Sequence, residues 1–244
     1  MPDVKPRLLD LFCGAGGAAH GYVLAGFEVV GVDIKPQPRY LLSGASEFYQ
    51  ADALEFCAEC GQEFDAIHAS PPCQRYTALA KMWNVREYPD LVAPTRDALI
   101  ATGVAWVIEN VPGAPLRDPF MLCGSMFRLG CKDAELRRHR YFEAPCLTVM
   151  APPCDHGWKA RTCAVYGHAG GKSHRQRRTI GDYGGHGRDR RRQFNCQGFS
   201  TAARSEAMGI GWMTGAELSQ AIPPAYTQFI GERLMAHLKE QDLA

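Results

Sequence analysis

The sequence lacks an excess of charge of either sign, because 27 lysines and arginines stand against 26 aspartates and glutamates. It has no apolar run near the roughly 20 residues that cross a bilayer, and its first residues do not resemble a secretion signal. These absences argue against a membrane-spanning or secreted protein. We therefore expect a cytoplasmic protein with no membrane partner, in which the ten cysteines are free thiols.

A chain of 244 residues, 46% of them hydrophobic, is long enough for one main core and a small appendage. Between Pro145 and Cys196 the sequence is rich in Pro, Gly, Cys, His and Arg and loses hydrophobic periodicity. We predict a first domain over 1–144, a small irregular module over 145–197, and C-terminal helices over 198–244 that return to the first domain. The helices expected there cover Ser200–Met208, Thr214–Gln220 and Ala225–Leu238.

The first 52 residues suggest strands alternating with a helix. The predicted strands are Arg7–Phe12, Glu28–Asp33 and Phe48–Asp52, and the helix runs from about Ala18 to Ala25. A glycine turn between the first strand and the helix lets the backbone approach a ligand. Acids end the second and third strands, where they suit ribose hydroxyls and an adenine amino group. No Gly-Lys-Ser/Thr follows, so a P-loop is excluded, and the pattern favours an adenosine cofactor over a plain βαβ corner.

Cys73 lies in the segment Ala69-Ser70-Pro71-Pro72-Cys73-Gln74, directly after the apolar run Phe64–His68, which predicts a buried strand. In open α/β sheets the carboxyl ends of strands are where ligands bind. Two prolines fix the backbone before the thiol, which suits a group presented at one angle. Taken alone, Cys73 is equally well explained as a small buried hydrophobic residue.

Glu109 is embedded in the predicted strand Trp106–Val111. Burial of a carboxyl is costly unless it is satisfied or functional, and burial would raise its pKa toward that of a useful acid. A structural glutamate in an ion pair is the alternative. A further strand, Leu136–Phe142, would place Arg138 and Arg140 on the same face by alternation.

Several cysteines and histidines have spacings that raise the question of zinc. Cys57 and Cys60 form a C-x-x-C pair, but they lie in a predicted helix and have no second pair at zinc spacing. The other candidates match no ordinary zinc finger, and they are Cys154, His156, Cys163 and His168. We therefore predict no metal site.

Four segments, in the expected order, resemble motifs of the DNA (cytosine-5) methyltransferase family, and the match as a whole runs over nearly the whole length of the chain. They are Asp10–Gly17 (first cofactor motif), Pro71–Gln74 (catalytic motif), Glu109–Val111 (Glu-Asn-Val motif) and Arg138-x-Arg140 (paired arginines). The chain is similar to compact bacterial or phage members. The resemblance implies an α/β, Rossmann-like S-adenosylmethionine-dependent methyltransferase sheet with helices on both faces. It also implies that the module over 145–197 is a small target-recognition region.

The resemblance further implies methyl transfer from S-adenosyl-L-methionine to carbon 5 of a flipped-out cytosine in double-stranded DNA, through a covalent Cys73 adduct. Glu109 would act at N3 of the base, and Arg138 and Arg140 would hold its O2 edge. The implied cofactor-binding residues are Asp10, Phe12, Gly14, Gly16, Gly17, Asp33, Ile34, Asp52, Ala53, Pro72 and Gln220. The implied nucleic-acid-binding residues are Gln74, Arg75, Arg175, Arg177, Arg178, Arg190, Arg191 and Arg192.

Between Lys172 and Arg192, eight lysines and arginines stand against two aspartates. We interpret this segment, which we call the basic segment, as a contact for DNA phosphates, with a solvated basic loop as the alternative.

Two positions depart from the family pattern. Leu136 stands where the paired-arginine motif often begins with glutamine, and Ser219-Gln220 stands where the family has Gly-Asn near the reactive end of the cofactor. Two other functions stay open, an RNA cytosine-5 methyltransferase and a catalytically silent DNA-binding relative. The intact Cys73, Glu109 and Arg140 argue against the silent relative. We expect a monomer without an obligate protein partner, associated with DNA methylation and restriction-modification.

Overall fold

The computed structural model describes residues 5–76, 88–132, 134–159, 161–163 and 199–241. Its strands are β1 Arg7–Leu11, β2 Glu28–Asp33, β3 Glu47–Gln50, β4 Ala66–Ala69, β5 Ala105–Asn110, β6 Phe120–Leu122, β7 Gly130–Cys131, β8 Ala134–Leu136, β9 Arg140–Glu143 and β10 Arg161–Cys163. Its helices are α1 Gly17–Leu24, α2 Ala53–Cys60, α3 Val92–Thr102, α4 Thr201–Met208, α5 Gly215–Gln220 and α6 Pro224–Gln241. Within these ranges no helix has both the length and the apolar character needed to cross a membrane.

Seven strands form the main sheet, in the order β3-β2-β1-β4-β5-β9-β6. The strands from β3 to β5 pair in parallel, whereas β9 is antiparallel to both β5 and β6. A smaller sheet has the order β10-β8-β7. Because β1, β2, β4 and β5 run in the same direction, their carboxyl ends lie along one edge of the main sheet, where ligands bind in such folds.

Alternation along the strands builds a core on each face of the main sheet. Leu8 packs with the α1 and α6 residues Tyr22 and Tyr226 on one face. Leu9, its neighbour in β1, packs with Ile67 and with Leu99 of α3 on the other. All six side chains are fully buried. The predicted α/β sheet with helices on both faces is therefore confirmed.

Small residues allow α1 and α6 to approach closely. A Cβ atom at Gly21 would lie 2.1 Å from the carbonyl oxygen of Pro224. At Gly231, a Cβ atom would lie 2.7 Å from the Cβ of Ala25. Since real Cβ atoms do not approach other atoms so closely, any larger residue at either position would push the two helices apart.

The predicted helices after residue 198 are confirmed, and the sequence also locates their starts. The Ser200 hydroxyl accepts a hydrogen bond from the Ala203 amide and caps α4. Thr214 caps α5 in a reciprocal capping box with Glu217. These caps satisfy amide groups that a helix leaves unpaired in its first turn.

The prediction of one strand over Leu136–Phe142 is wrong. The chain leaves the small sheet after Leu136 and enters the main sheet at Arg140. Between them, the Arg138 carbonyl accepts a hydrogen bond from the Tyr226 hydroxyl at 2.6 Å, so it is bonded to α6. Alternation in the sequence cannot reveal such a change of sheet, because both strands are buried and extended.

The third predicted strand also ends earlier than expected. β3 stops at Gln50, and Asp52 instead caps α2 by accepting hydrogen bonds from the amides of Leu54 and Glu55 at 2.8 and 3.1 Å. An aspartate at a helix N-terminus satisfies these otherwise unpaired amides, and this local chemistry overrides continuation of the strand.

Candidate active site

The glycine turn after β1 contains glycines with different structural roles. Gly14 has φ +50°, and a Cβ atom there would meet no atom within 4 Å, so the residue borders open space. At Gly16, a Cβ atom would lie 2.8 Å from the Cβ of Ser43, and at Gly17 it would lie 2.7 Å from the Ile222 carbonyl oxygen. Gly14 is thus open to a ligand, whereas Gly16 and Gly17 allow close packing.

Two carboxyl groups lie beside this turn. Asp33, at the end of β2, accepts hydrogen bonds from the amides of Gly14 and Lys35 at 3.0 and 2.9 Å. Asp10 is fully buried in β1, and burial raises its pKa to about 8 despite a hydrogen bond from the Tyr40 hydroxyl. Among the described residues its Oδ1 atom has no hydrogen-bond partner. A donor on a bound ligand would satisfy this buried oxygen.

The other predicted cofactor residues surround the same edge of the sheet. Phe12 follows β1 with φ +57°, a conformation that non-glycine residues rarely adopt. Ile34 follows β2 and is 66% exposed, so it presents an apolar surface to solvent. Asp52 and Ala53 begin α2, with Asp52 exposed and Ala53 buried. An apolar surface beside exposed acids matches the chemistry of an adenosine group.

Asn110 holds the loop that carries Cys73. Its Nδ2 atom donates to the Pro71 carbonyl oxygen at 2.9 Å, and its side chain is completely buried. Cys73 is half-buried, with Pro72 beside it. Burial raises the pKa of the Cys73 thiol, as does Glu109, while Arg140 and Arg138 act in the opposite direction. All three charged groups therefore affect the pKa of the Cys73 thiol.

Glu109 forms an ion pair with Arg140 in the interior. The Arg140 Nε atom lies 3.0 Å from the Glu109 Oε1 atom, and each side chain is 8% exposed. Burial raises the pKa of Glu109, although Arg140, Arg138 and a hydrogen bond with Ser70 lower it. Burial therefore favours the protonated carboxyl, whereas the guanidinium beside it favours the charged form.

A buried hydrogen-bonded chain behind Glu109 was missed by sequence reasoning. His68 lies 2.9 Å from the Ser70 hydroxyl through Nε2 and 3.0 Å from the Tyr22 hydroxyl through Nδ1. Burial lowers the pKa of His68 to about 3, so the ring is neutral. The available signal was a histidine inside an apolar strand, since buried polar groups need partners. The chain supports Ser70 and, through it, Glu109.

Arg138 and Arg140 have different surroundings. Arg138 donates to the carbonyl oxygens of Ser219 and Ala221 at 2.8 and 3.1 Å. These two hydrogen bonds hold the backbone before and after Gln220, where α5 ends and the chain continues to α6. The Gln220 side chain is exposed. Arg138 is a positioning residue in this geometry, whereas Arg140 contacts Glu109.

The predicted nucleic-acid contacts are described only in part. Gln74 and Arg75 are exposed directly after Cys73, at the surface of the proposed site. The remaining predicted contacts belong to the basic segment and lie outside the described residues, and they are Arg175, Arg177, Arg178, Arg190, Arg191 and Arg192.

The chain shares its fold, a mixed α/β sheet flanked by helices, with solved methyltransferase structures. No protein-family model and no curated protein sequence matches the chain. A solved structure assigned as a DNA modification methyltransferase encoded within an E. coli prophage aligns with 96% of this chain and 100% of its own, at 16% identity and a TM-score of 0.56. The Entamoeba histolytica methyltransferase EhMeth covers 99% of this chain and 100% of its own, at 13% identity and a TM-score of 0.55. At such low identities the likeness shows the fold alone.

Proposed function

We propose that this protein is a DNA (cytosine-5) methyltransferase that uses S-adenosylmethionine and forms a covalent adduct through Cys73. The observation that carries the proposal is the buried pair of Glu109 and Arg140, together with the hydrogen bond by which Asn110, next to Glu109 in β5, holds the loop of Cys73. Support also comes from the fold shared with a protein assigned as a DNA modification methyltransferase. The finer assignment depends on the chemistry of the site.

Carbon 5 of cytosine is a poor nucleophile until a thiolate adds to carbon 6. Cys73 supplies this thiolate, and its proton passes to solvent before attack. Addition increases the negative charge at N3, where the protonated Glu109 donates its proton. Arg140, held by Glu109, hydrogen-bonds the O2 edge of the base. Once carbon 5 carries the methyl group, loss of the proton from that carbon expels the Cys73 thiolate, and the N3 proton returns to Glu109, which restores the neutral aromatic base.

The residues at the carboxyl edge fit S-adenosylmethionine, which supplies an electrophilic methyl group when bound. Gly14 borders open space, and the buried Oδ1 of Asp10 has no hydrogen-bond partner among the described residues. Asp33 accepts hydrogen bonds from the ribose hydroxyls, and Phe12 and Ile34 pack against the adenine ring. Asp52 and Ala53 complete the adenine side, and Pro72 and Gln220 lie toward the methionine side.

In this proposal the substrate is double-stranded DNA. The target carbon is inaccessible inside the base stack, so the cytosine must be flipped out before it reacts. Gln74 and Arg75 are exposed beside Cys73, where the flanking strand would pass. The basic segment provides phosphate contacts. We propose that the protein acts as a monomer.

Transfer of a labelled methyl group to DNA and to RNA, followed by mass spectrometry of the nucleosides, tests the function. We expect 5-methylcytosine in DNA as the product. Methylation of RNA alone would favour the RNA enzyme, and no transfer to either would favour a silent relative. A 5-substituted cytosine heavier than 5-methylcytosine would show that the protein uses a donor other than S-adenosylmethionine, as the departure at Gln220 would then suggest.

A covalent trap tests the nucleophile directly. DNA containing 5-fluorocytosine blocks the final elimination, so a stable protein–DNA complex should accumulate. Cys73→Ala should abolish this complex, whereas Cys60→Ala should leave it unchanged, because Cys60 is a half-buried thiol in α2. A complex that persists in Cys73→Ala would refute the assignment of the nucleophile.

A further inference from the structure

Four side chains able to ligate a metal converge outside the proposed active site. Their ligand atoms, from Cys123, His139, Cys154 and His156, all lie within 4.8 Å of one another. The His156 Nε2 atom is 3.3 Å from the Cys123 sulfur and 2.8 Å from the Cys154 sulfur. The His139 Nε2 atom is 3.4 Å from the Cys154 sulfur. We call these four residues the Cys-His cluster.

We propose that the Cys-His cluster is a structural zinc site. A tetrahedral Zn²⁺ with bonds of about 2.3 Å to sulfur and about 2.05 Å to nitrogen keeps those ligand atoms about 3.6 Å apart. Two of the three sulfur–nitrogen distances given above already lie within 0.3 Å of that value, at 3.3 and 3.4 Å. The pair at 2.8 Å needs to open by less than 1 Å. Two thiolates and two imidazoles are a usual donor set for zinc, and four protein ligands are typical of structural sites.

Two of the ligands are fixed by the main sheet. Cys123 follows β6 and is completely buried, and His139 immediately precedes β9, the neighbour of β6. The hydroxyl of Ser125, itself 2% exposed, lies 3.4 Å from the Cys154 sulfur. Such hydrogen bonds to metal ligands orient them for binding.

The other two ligands lie on an irregular segment that is held on both sides of His156. The buried carboxylate of Glu135 accepts hydrogen bonds from the Gly157 amide at 2.9 and 3.0 Å. Asp155 forms an exposed ion pair with Arg128 at 3.1 Å. These contacts present Cys154 and His156 to the sheet. Zinc binding would release the thiol protons to solvent, with no change of oxidation state.

The position of His139 gives the site a consequence for the active site. His139 lies between Arg138 and Arg140 in the sequence, so a metal bound to its ring would restrain the backbone that carries both guanidinium groups. The same ion would tie the start of the irregular module to that backbone. The effect of this restraint on the active site rests on the proposed function, whereas zinc binding itself does not depend on that function.

Zinc content tests the proposal without any substrate. The full chain, purified under reducing conditions without chelator and supplied with Zn²⁺, should contain about one zinc ion per chain by inductively coupled plasma mass spectrometry. Substitution with Co²⁺ should give the visible absorption of a tetrahedral site with thiolate ligands. Because no methyl transfer is measured, a failed proposed function would leave this result unchanged.

Variants test the ligands. Cys154→Ser should weaken zinc binding by more than about a hundredfold, since loss of groups that merely support ligands already costs 10–100-fold. Cys60 is a half-buried thiol in α2 and is not part of the Cys-His cluster. The Cys60→Ser variant should therefore bind zinc like the unmodified chain. His156→Gln provides a second test in a residue that is exposed and therefore tolerant of substitution.

Three results would overturn the proposal. One is an unmodified chain that binds no zinc after reconstitution. Another is unchanged zinc affinity in folded Cys154→Ser or folded His156→Gln, with folding checked by circular dichroism. The third is a disulfide between Cys123 and Cys154 in freshly purified protein, because it would remove both thiolates.

Discussion

The Arg140 Nε atom lies 3.0 Å from the Glu109 Oε1 atom, and both side chains are 8% exposed. Burial raises the pKa of Glu109 even though two arginines lower it. A carboxyl in this position can be either a charged partner of the guanidinium or a proton donor. Because negative charge develops at N3 only during nucleophilic attack, the main effect of the Glu109 proton in the proposed function is on the transition state.

The first prediction concerns that proton. Glu109→Gln keeps the shape of the side chain but cannot transfer a proton, so we expect turnover to fall by about two or more orders of magnitude. Affinity for S-adenosylmethionine should remain near normal, because Glu109 is not among the proposed cofactor contacts. Single-turnover kinetics and cofactor titration measure the two effects. A large loss of cofactor affinity with little loss of turnover would contradict the assigned role.

The second prediction separates the two arginines. Arg138→Lys loses donors to the Ser219 and Ala221 carbonyls, and we expect the KM for cofactor to rise more than kcat falls. Unfolding free energy should also drop by about 2 kcal/mol, as expected when a buried charged hydrogen bond is lost. Arg140→Lys should instead lower mainly kcat, because Arg140 contacts Glu109. Indistinguishable kinetic profiles for the two variants would show that the arginines share one role.

The third prediction uses His68. Its pKa is lowered to about 3 in the folded protein, below the usual value of 6.5. Between these pH values the unfolded chain binds a proton that the folded chain does not, so stability falls as pH falls. His68→Gln should remove a slope of up to about 1.4 kcal/mol per pH unit.

Urea unfolding at several pH values between 7 and 4 measures this slope. Tyr22→Phe is the matched control, since it removes a hydrogen bond to His68 but keeps the buried ring. We expect that variant to retain the pH dependence of the unmodified chain, because burial is the main cause of the shift. An unaltered slope in His68→Gln would contradict the prediction.

The fourth prediction concerns the basic segment. Neutralising Arg190, Arg191 and Arg192 should weaken binding to DNA of any sequence, and each lost phosphate contact should reduce the logarithmic salt slope by about 0.9. Lys239→Gln is the control, because Lys239 lies away from Cys73. Its neighbours in α6, His237 and Leu238, line a cavity with Pro6 and Gly103 near the opposite edge of the sheet. A salt slope that stays constant in the triple variant would indicate a solvated loop.

Much of the fold could be predicted because its signals are local. The apolar run of β1, the glycine turn and the acid that ends β2 lie within 27 residues, from Arg7 to Asp33. Cys73 follows one strand and Glu109 lies within another. Each of these strands is recognisable by its own composition. Parallel pairing then brings the ends of those strands to one edge, as expected from the general rule for open α/β sheets.

Contacts between distant segments could not be predicted in the same way. Arg138 and Ser219 are 81 positions apart, and their hydrogen bond depends on how α5 packs against the sheet. The Cys-His cluster draws its ligands from separate segments, so its spacing resembles no zinc finger. The division of Leu136–Phe142 between two sheets also depended on partners elsewhere in the chain.

The sequence by itself determined the elements of the sheet and the chemical groups at their ends, because hydrophobic periodicity, helix caps and turn residues act over a few neighbouring positions. Only the tertiary structure decided that Arg140 pairs with Glu109 while Arg138 holds the connection at Gln220, and that Cys123 meets His156. The physical reason is that side-chain pairing depends on distances set by the packing of whole layers. A pattern along the chain carries the identity of such groups but not their separation in space.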